Sequence, residues 1–174
     1  INHVLSNEDN LLQVSCHTAK HSYVRAPGYR LHLDVDRIVS NNDIDWELFI
    51  KKVNEVHSRV AVYFSLYLAQ EILGTNMPAR VLEALRPSKS KEKRIMNMIL
   101  KANLMHPHGR KFSKLGFLRF QTALYDSFGD FLAVLIPPAA DLKLKYKYKN
   151  SLLTPYYWCW YVLDMVGIRK SKKE

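Results

Sequence analysis

The sequence predicts an all-α protein, a helical bundle of about seven to nine helices in one domain or two subdomains. Apolar residues recur at three- and four-residue spacing along most of the chain, as one face of a helix requires. Only 6 Gly and 7 Pro in 174 residues leave few turn signals, which favours long helices over many short strands. A hydrophobic content of 48% with 24% charged residues suits a folded globular chain rather than a disordered one.

Ser6-Asn7-Glu8-Asp9 begins the first helix, a capping hydroxyl followed by acids that complement the positive end of the helix dipole. This helix is expected to run from about Glu8 to Tyr23 and to stop before Pro27. Residues 29–39 carry two patterns. Leu31, Leu33 and Val35 alternate as in a strand, whereas Leu31, Val35, Ile38 and Val39 form a helical stripe. With no second strand nearby to pair it, the segment is read as helix. Asn41-Asn42-Asp43 is a turn, and Asp45 caps a helix whose core residues are Trp46, Phe49, Ile50, Val53 and Val56. Ser58 caps a more apolar helix, Val60–Leu73, closed by Gly74 where a left-handed residue is favoured. Pro78 opens a short helix, Ala79–Leu85.

Arg86-Pro87-Ser88-Lys89-Ser90 is the clearest linker and predicts a division into residues 1–86 and 87–174. Beyond it, Lys91–Leu104 is basic and amphipathic, with Ile95, Met98, Ile99 and Ala102 on one side. Residues 105–111 form a loop, and a long helical run is expected from Lys114 to about Leu135, ended by Pro137-Pro138. Leu142–Tyr148 alternates lysine with leucine or tyrosine, and Pro155 precedes a final aromatic helix, Tyr156–Ile168.

The formal net charge of +10 belongs to the second half, because the first 86 residues are nearly neutral. Solvated helix faces and the tail Arg169–Lys173 account for most of it. Any binding of nucleic acid is therefore expected to be weak, non-specific and carried by the second half. Cys16 and Cys159 make neither a disulfide framework nor a CxxC knuckle, which fits a reducing, cytoplasmic setting. The opening INHVLSNEDN has no initiator Met and no signal-peptide pattern, so the chain is expected to be a piece of a longer protein. The aromatic stretch Leu152–Ile168 is flanked by lysines as interfacial helices are. Pro155 and Asp164 interrupt it, it is too short for a span, and a buried closing helix is expected.

The densest set of reactive side chains lies in NLLQVSCHTAKHSYVRAPGYRLHLDVDRIV, residues 10–39. His17, Lys20 and His21 fall at i, i+3 and i+4 and share one helix face. Arg30 and Asp34 follow after the Ala26-Pro27-Gly28 break. The five are expected to converge across that turn, either as a ligand site or as a buried polar clasp between two helices. No catalytic residue and no metal ligand is assigned. His17 and His21 have the spacing of a helical zinc pair, but Thr18 stands where the HExxH glutamate would be and a third ligand is not obvious. Asp34-Val35-Asp36 on a strand could hold two magnesium ions. On a helix, however, the two carboxylates diverge by about 200°, and Asp34 then becomes an acceptor for Arg30 or for the histidines.

These residues resemble a known family. The run LLQVSCHTAKHSYVR…YRLHLDVDRIV…DIDWELF is similar to the helical region of the uncharacterised nucleotidyltransferases related to polymerase-β-like enzymes. His17, Lys20, His21, Arg30, Asp34, Asp45 and Trp46 match that pattern, while Glu47 replaces its last aspartate. A looser likeness continues through Ala69–Leu85 and through Leu135-Ile136-Pro137-Pro138…Leu142…Tyr146.

The resemblance implies a C-terminal helical part that partners an N-terminal α/β catalytic module. That module would carry a Gly-Ser turn and an Asp-x-Asp strand, and the likeness begins downstream of it. Magnesium is expected only there, with no cofactor in this chain, which alone would be inactive. Two functional classes follow. One is an accessory helical domain helping to bind a nucleotide or an acidic acceptor. The other is a non-catalytic helical module whose basic half contacts nucleic acid or a membrane surface.

Overall fold

A computed structural model describes residues 5–21, 29–102 and 112–165 of the chain. Among these residues every regular element is helical, so the all-α expectation holds and residues 30–41 are helix, not strand. The chain forms two compact units, Ile1–Asp126 and Ser127–Glu174.

The first unit contains α1 (Asn7–His21), α2 (Arg30–Asn41), α3 (Trp46–Glu55), α4 (Arg59–Leu73), α5 (Ala79–Leu85), α6 (Lys89–Ala102) and α7 (Lys114–Ala123). α4 is its centre. Val60, Val62, Phe64, Leu66, Leu68 and Ala69 are buried on nearly every side of it, which is how a helix apolar all round must sit. Full burial of side chains the size of Phe64 or Leu66 contributes about 1.5–3 kcal/mol each. α1, α2, α3 and α5 pack on α4. α1 offers Leu11, Ser15, Thr18 and Ala19, and α2 offers His32, Val35 and Val39, both at helical spacing.

Polar contacts fix the register of this packing. The Ser65 hydroxyl donates to the Ser15 carbonyl at 2.6 Å, joining α4 to α1. Thr75 Oγ1, just past α4, donates to Asp36 Oδ1 of α2 at 2.7 Å. Gly74 closes α4 in the left-handed region with φ 71°, as its position in the sequence predicts. Asp45 caps α3, accepting from the backbone N–H groups of Glu47 and Leu48. The backbone N–H of Asp45 in turn donates to Glu8 Oε1 at 3.0 Å. Backbone N–H groups, its own and that of Asp45, hold the Glu8 carboxyl below the usual carboxylate range. Lys52 reaches Asp9 at 2.6 Å, so the start of α1 is pinned against α3.

Several expectations need correction. Val56 follows the α3 stripe but stands past the last helical residue and is 52% exposed. Ser58 occupies the N-cap position of α4, yet its side chain makes no cap bond. Asp126 does that work instead: its carboxylate accepts from Arg59 N at 2.9 Å and from Val60 N at 2.7 Å. The run expected to be one helix over 114–135 is two, α7 and α8 (Phe128–Leu135). Ser127 and Asp130 form a capping box that starts α8 afresh.

Arg86–Ser90, read as a division between subdomains, lies inside the first unit. Arg86 pairs with Glu92 of α6 at 2.9 Å, and the Tyr63 hydroxyl of α4 donates to the same carboxylate. Ile95 and Ile99 of α6 are buried in the core of α1–α4.

The second unit holds α8, α9 (Ala139–Tyr146), a short 3-10 turn (Ser151–Leu153) and α10 (Thr154–Met165). Lys147 ends α9 in the left-handed region with φ 54°. Tyr148 and Tyr157 stack at 4.3 Å, and Tyr146 stacks on Tyr157 at 5.2 Å. Tyr146 also donates to Asp164 at 2.8 Å, and the Tyr148 hydroxyl to Thr154 at 3.0 Å. Tyrosine stacking thus joins α9 to α10. The aromatic helix, expected to be buried, leaves Tyr156 53% exposed and Leu163 41% exposed. Among the described residues no helix is long and apolar enough to cross a membrane.

Candidate functional site

α1 and α2 lie antiparallel. Thr18, near the end of α1, donates to the Leu31 carbonyl at the start of α2, at 3.2 Å. At the other end, Glu8 of α1 meets Asp45 beyond α2. Between the two helices runs an open cleft of about 270 Å³, lined by Asn10, Gln13, Val14, His17, Thr18, Leu31 and Asp34. The buried stripes of α1 and α2 face α4, so the cleft lies on the outer side of the pair.

Of the five candidate residues, this geometry brings His17 and Asp34 to one cleft. His21 stands one turn after His17, with the two ring centroids 4.5 Å apart. Lys20 and Arg30 do not line the cleft. They are exposed at its Thr18–Leu31 end, Lys20 in the last turn of α1 and Arg30 as the first residue of α2. The turn expected to gather all five, at residues 26–28, lies outside the described residues. His17, Lys20, Arg30 and Asp34 are exposed and His21 is half-buried, which is not the environment of a buried clasp. Arg30 and Asp34 form no ion pair with each other among the described residues.

The two aspartates of Asp34-Val35-Asp36 have separate surroundings. Asp34 lines the cleft, and Asp36 accepts from Thr75 toward α4. A helix imposes this divergence, and it removes the paired-carboxylate metal reading. Among the described residues no group of three His, Cys, Asp or Glu side chains is placed to hold a metal ion. Burial pushes the Cys16 thiol up, away from the thiolate a zinc site uses.

Sequence reasoning missed the other five lining residues, Asn10, Gln13, Val14, Thr18 and Leu31. The signal was present, since residues 10, 13, 14 and 17 follow the i, i+3, i+4, i+7 spacing of one helix face. It also left His32 out of the five candidates. Fully buried on α2, His32 has its imidazole pKa lowered to about 4 by burial, so it is neutral near pH 7.

The start of α2 has a distinct electrostatic character. Tyr29 at the N-cap position supplies no side-chain cap bond, and the first turn holds no acid. Arg30 therefore adds positive charge to the positive end of the helix dipole, which suits an anion and is unfavourable without one.

Residues 2–74 match the sequence model of a family described as uncharacterised nucleotidyltransferase. The matched segment contains both walls of the cleft and ends at Gly74, the residue that closes α4. Residues 75–174 lie outside it. No curated protein and no solved structure matches the chain.

Proposed function

We propose that this chain supplies an accessory helical part of a nucleotidyltransferase, whose α1–α2 face helps to hold the nucleotide or an acidic acceptor. The reading is carried by one coincidence: the segment that matches the nucleotidyltransferase family also forms the cleft that His17 and Asp34 line. Lys20 and Arg30 flank one end of that cleft, where guanidinium, ammonium and the start of α2 together favour a phosphate or carboxylate. His17, Asn10, Gln13 and Asp34 offer hydrogen-bond donors and acceptors to the uncharged part of the ligand. Transfer chemistry falls to a separate module bearing a Gly-Ser turn and an Asp-x-Asp pair with its magnesium. Asp34 and Asp36 point apart and do not substitute for that pair.

The test is binding without turnover. Titration of the chain with nucleoside triphosphates and with acidic sugars, followed by NMR shifts of α1 and α2 amides, should show saturable changes around His17 and Asp34. Lys20→Ala and Arg30→Ala should each weaken binding about tenfold, at the level of a charged hydrogen bond, and leave the unfolding midpoint nearly unchanged. Unchanged affinity in both variants would remove the assignment.

A further inference from the structure

We propose that the α9–α10 hairpin of the second unit is a contact surface for an anionic lipid bilayer. The hairpin joins α9 to α10 through the 3-10 turn, and its side chains are poorly suited to water. Leu144 on α9 is 82% exposed and Leu152 in the turn is 86% exposed. Lys143 donates to Ser151 at 2.8 Å, which brings the neighbours of these two leucines together. Lys147 and Lys149, both exposed, lie between them in sequence. Two unpartnered aliphatic side chains framed by lysines match a membrane interface, where acyl chains take the leucines and acidic headgroups meet the ammonium groups.

Charge supports this occupant over others. Residues 143–152 hold four lysines and no acid, so two copies of this surface would repel each other. A nucleic acid would engage the lysines but leave the leucines in water. Tyr148, between the two leucines in sequence, is buried and stacked on Tyr157, so it is not open to bases. Contact would be peripheral, since among the described residues no helix is long and apolar enough to span a bilayer.

The experiment is cosedimentation of the full chain with phosphatidylcholine–phosphatidylserine vesicles and with pure phosphatidylcholine vesicles, over a salt series. Binding to the mixed vesicles, absent from the neutral ones and weakening with salt, is the expected result. Lys147→Gln with Lys149→Gln should weaken it about thirtyfold at low salt, since each lysine near an acidic surface is worth about fivefold. Leu144→Ser with Leu152→Ser should weaken it about tenfold or more. Both pairs sit at exposed positions, and circular dichroism should show the helices retained. Failure of the chain to bind mixed vesicles at low salt would overturn the proposal. So would vesicle binding indifferent to the leucine pair, which would indicate a plain polycation. Dimerisation lost in the leucine variant would assign the surface to a second copy and equally refute it.

Discussion

Acidification should loosen this protein through His32 before its carboxylates titrate. The side chain is 0% exposed on α2, between the helix and the core, and its pKa falls from 6.5 to about 4 because burial penalises the imidazolium. The sign follows from linkage: the unfolded chain binds a proton below pH 6.5 that the folded one refuses until about pH 4, so stability falls as pH drops through that window. Over the whole window the loss is about 3 kcal/mol, and between about pH 7.5 and 5 it is about 2 kcal/mol. Those figures are a large share of the roughly 5–15 kcal/mol that holds a domain together. Urea unfolding followed by far-UV circular dichroism, at several pH values across the window, measures the slope directly. Glu8, Asp9 and Glu92 also have lowered pKa values and lose stabilising interactions as they protonate, so their effect must be subtracted. His32→Leu provides the subtraction, whatever its own effect on total stability. Equal slopes in the wild type and in His32→Leu would refute the argument.

Asp126→Ala should destabilise the first unit by about 1–2 kcal/mol, because it removes both acceptors at the start of α4, and Asp126→Asn should cost less. Urea midpoints of the three proteins would show the order, and an Asp126→Ala variant as stable as the wild type would sink the capping assignment. Chelation with EDTA should leave the melting temperature unchanged if magnesium belongs to a separate module, as the proposed function requires; a drop on chelation, restored by added metal, would contradict that proposal.

Local chemistry made most helix starts and stops legible. Ser6, Asp45 and Gly74 announce the ends of α1, α3 and α4 because a cap is decided by a few neighbouring residues. The cap on α4 was not legible, since Asp126 lies 66 residues beyond the N–H it satisfies and only the tertiary fold brings them together. The division between α7 and α8 was available in Ser127-x-x-Asp130, but an apolar run continuing across it suggested a single helix. Val56 shows the limit of periodicity, which carries a stripe past the point where the backbone leaves the helix. Of the site, the divergence of Asp34 and Asp36 could be drawn from the helical repeat alone. The position of Lys20 and Arg30 at the cleft's end depends on the antiparallel register of α1 and α2, a long-range property.

That register is set from behind. Ser65 holds α1 through the Ser15 carbonyl, Thr75 holds α2 through Asp36, and the buried stripes of both helices rest on α4. Side chains that fix orientation therefore occupy one side of each helix, and those that can meet a ligand occupy the other. Turning α2 by one residue, about 100°, would carry Asp34 off the cleft and break the Thr75 bond at once. Asp36 thus fixes the helix, and by fixing it turns Asp34 toward the cleft.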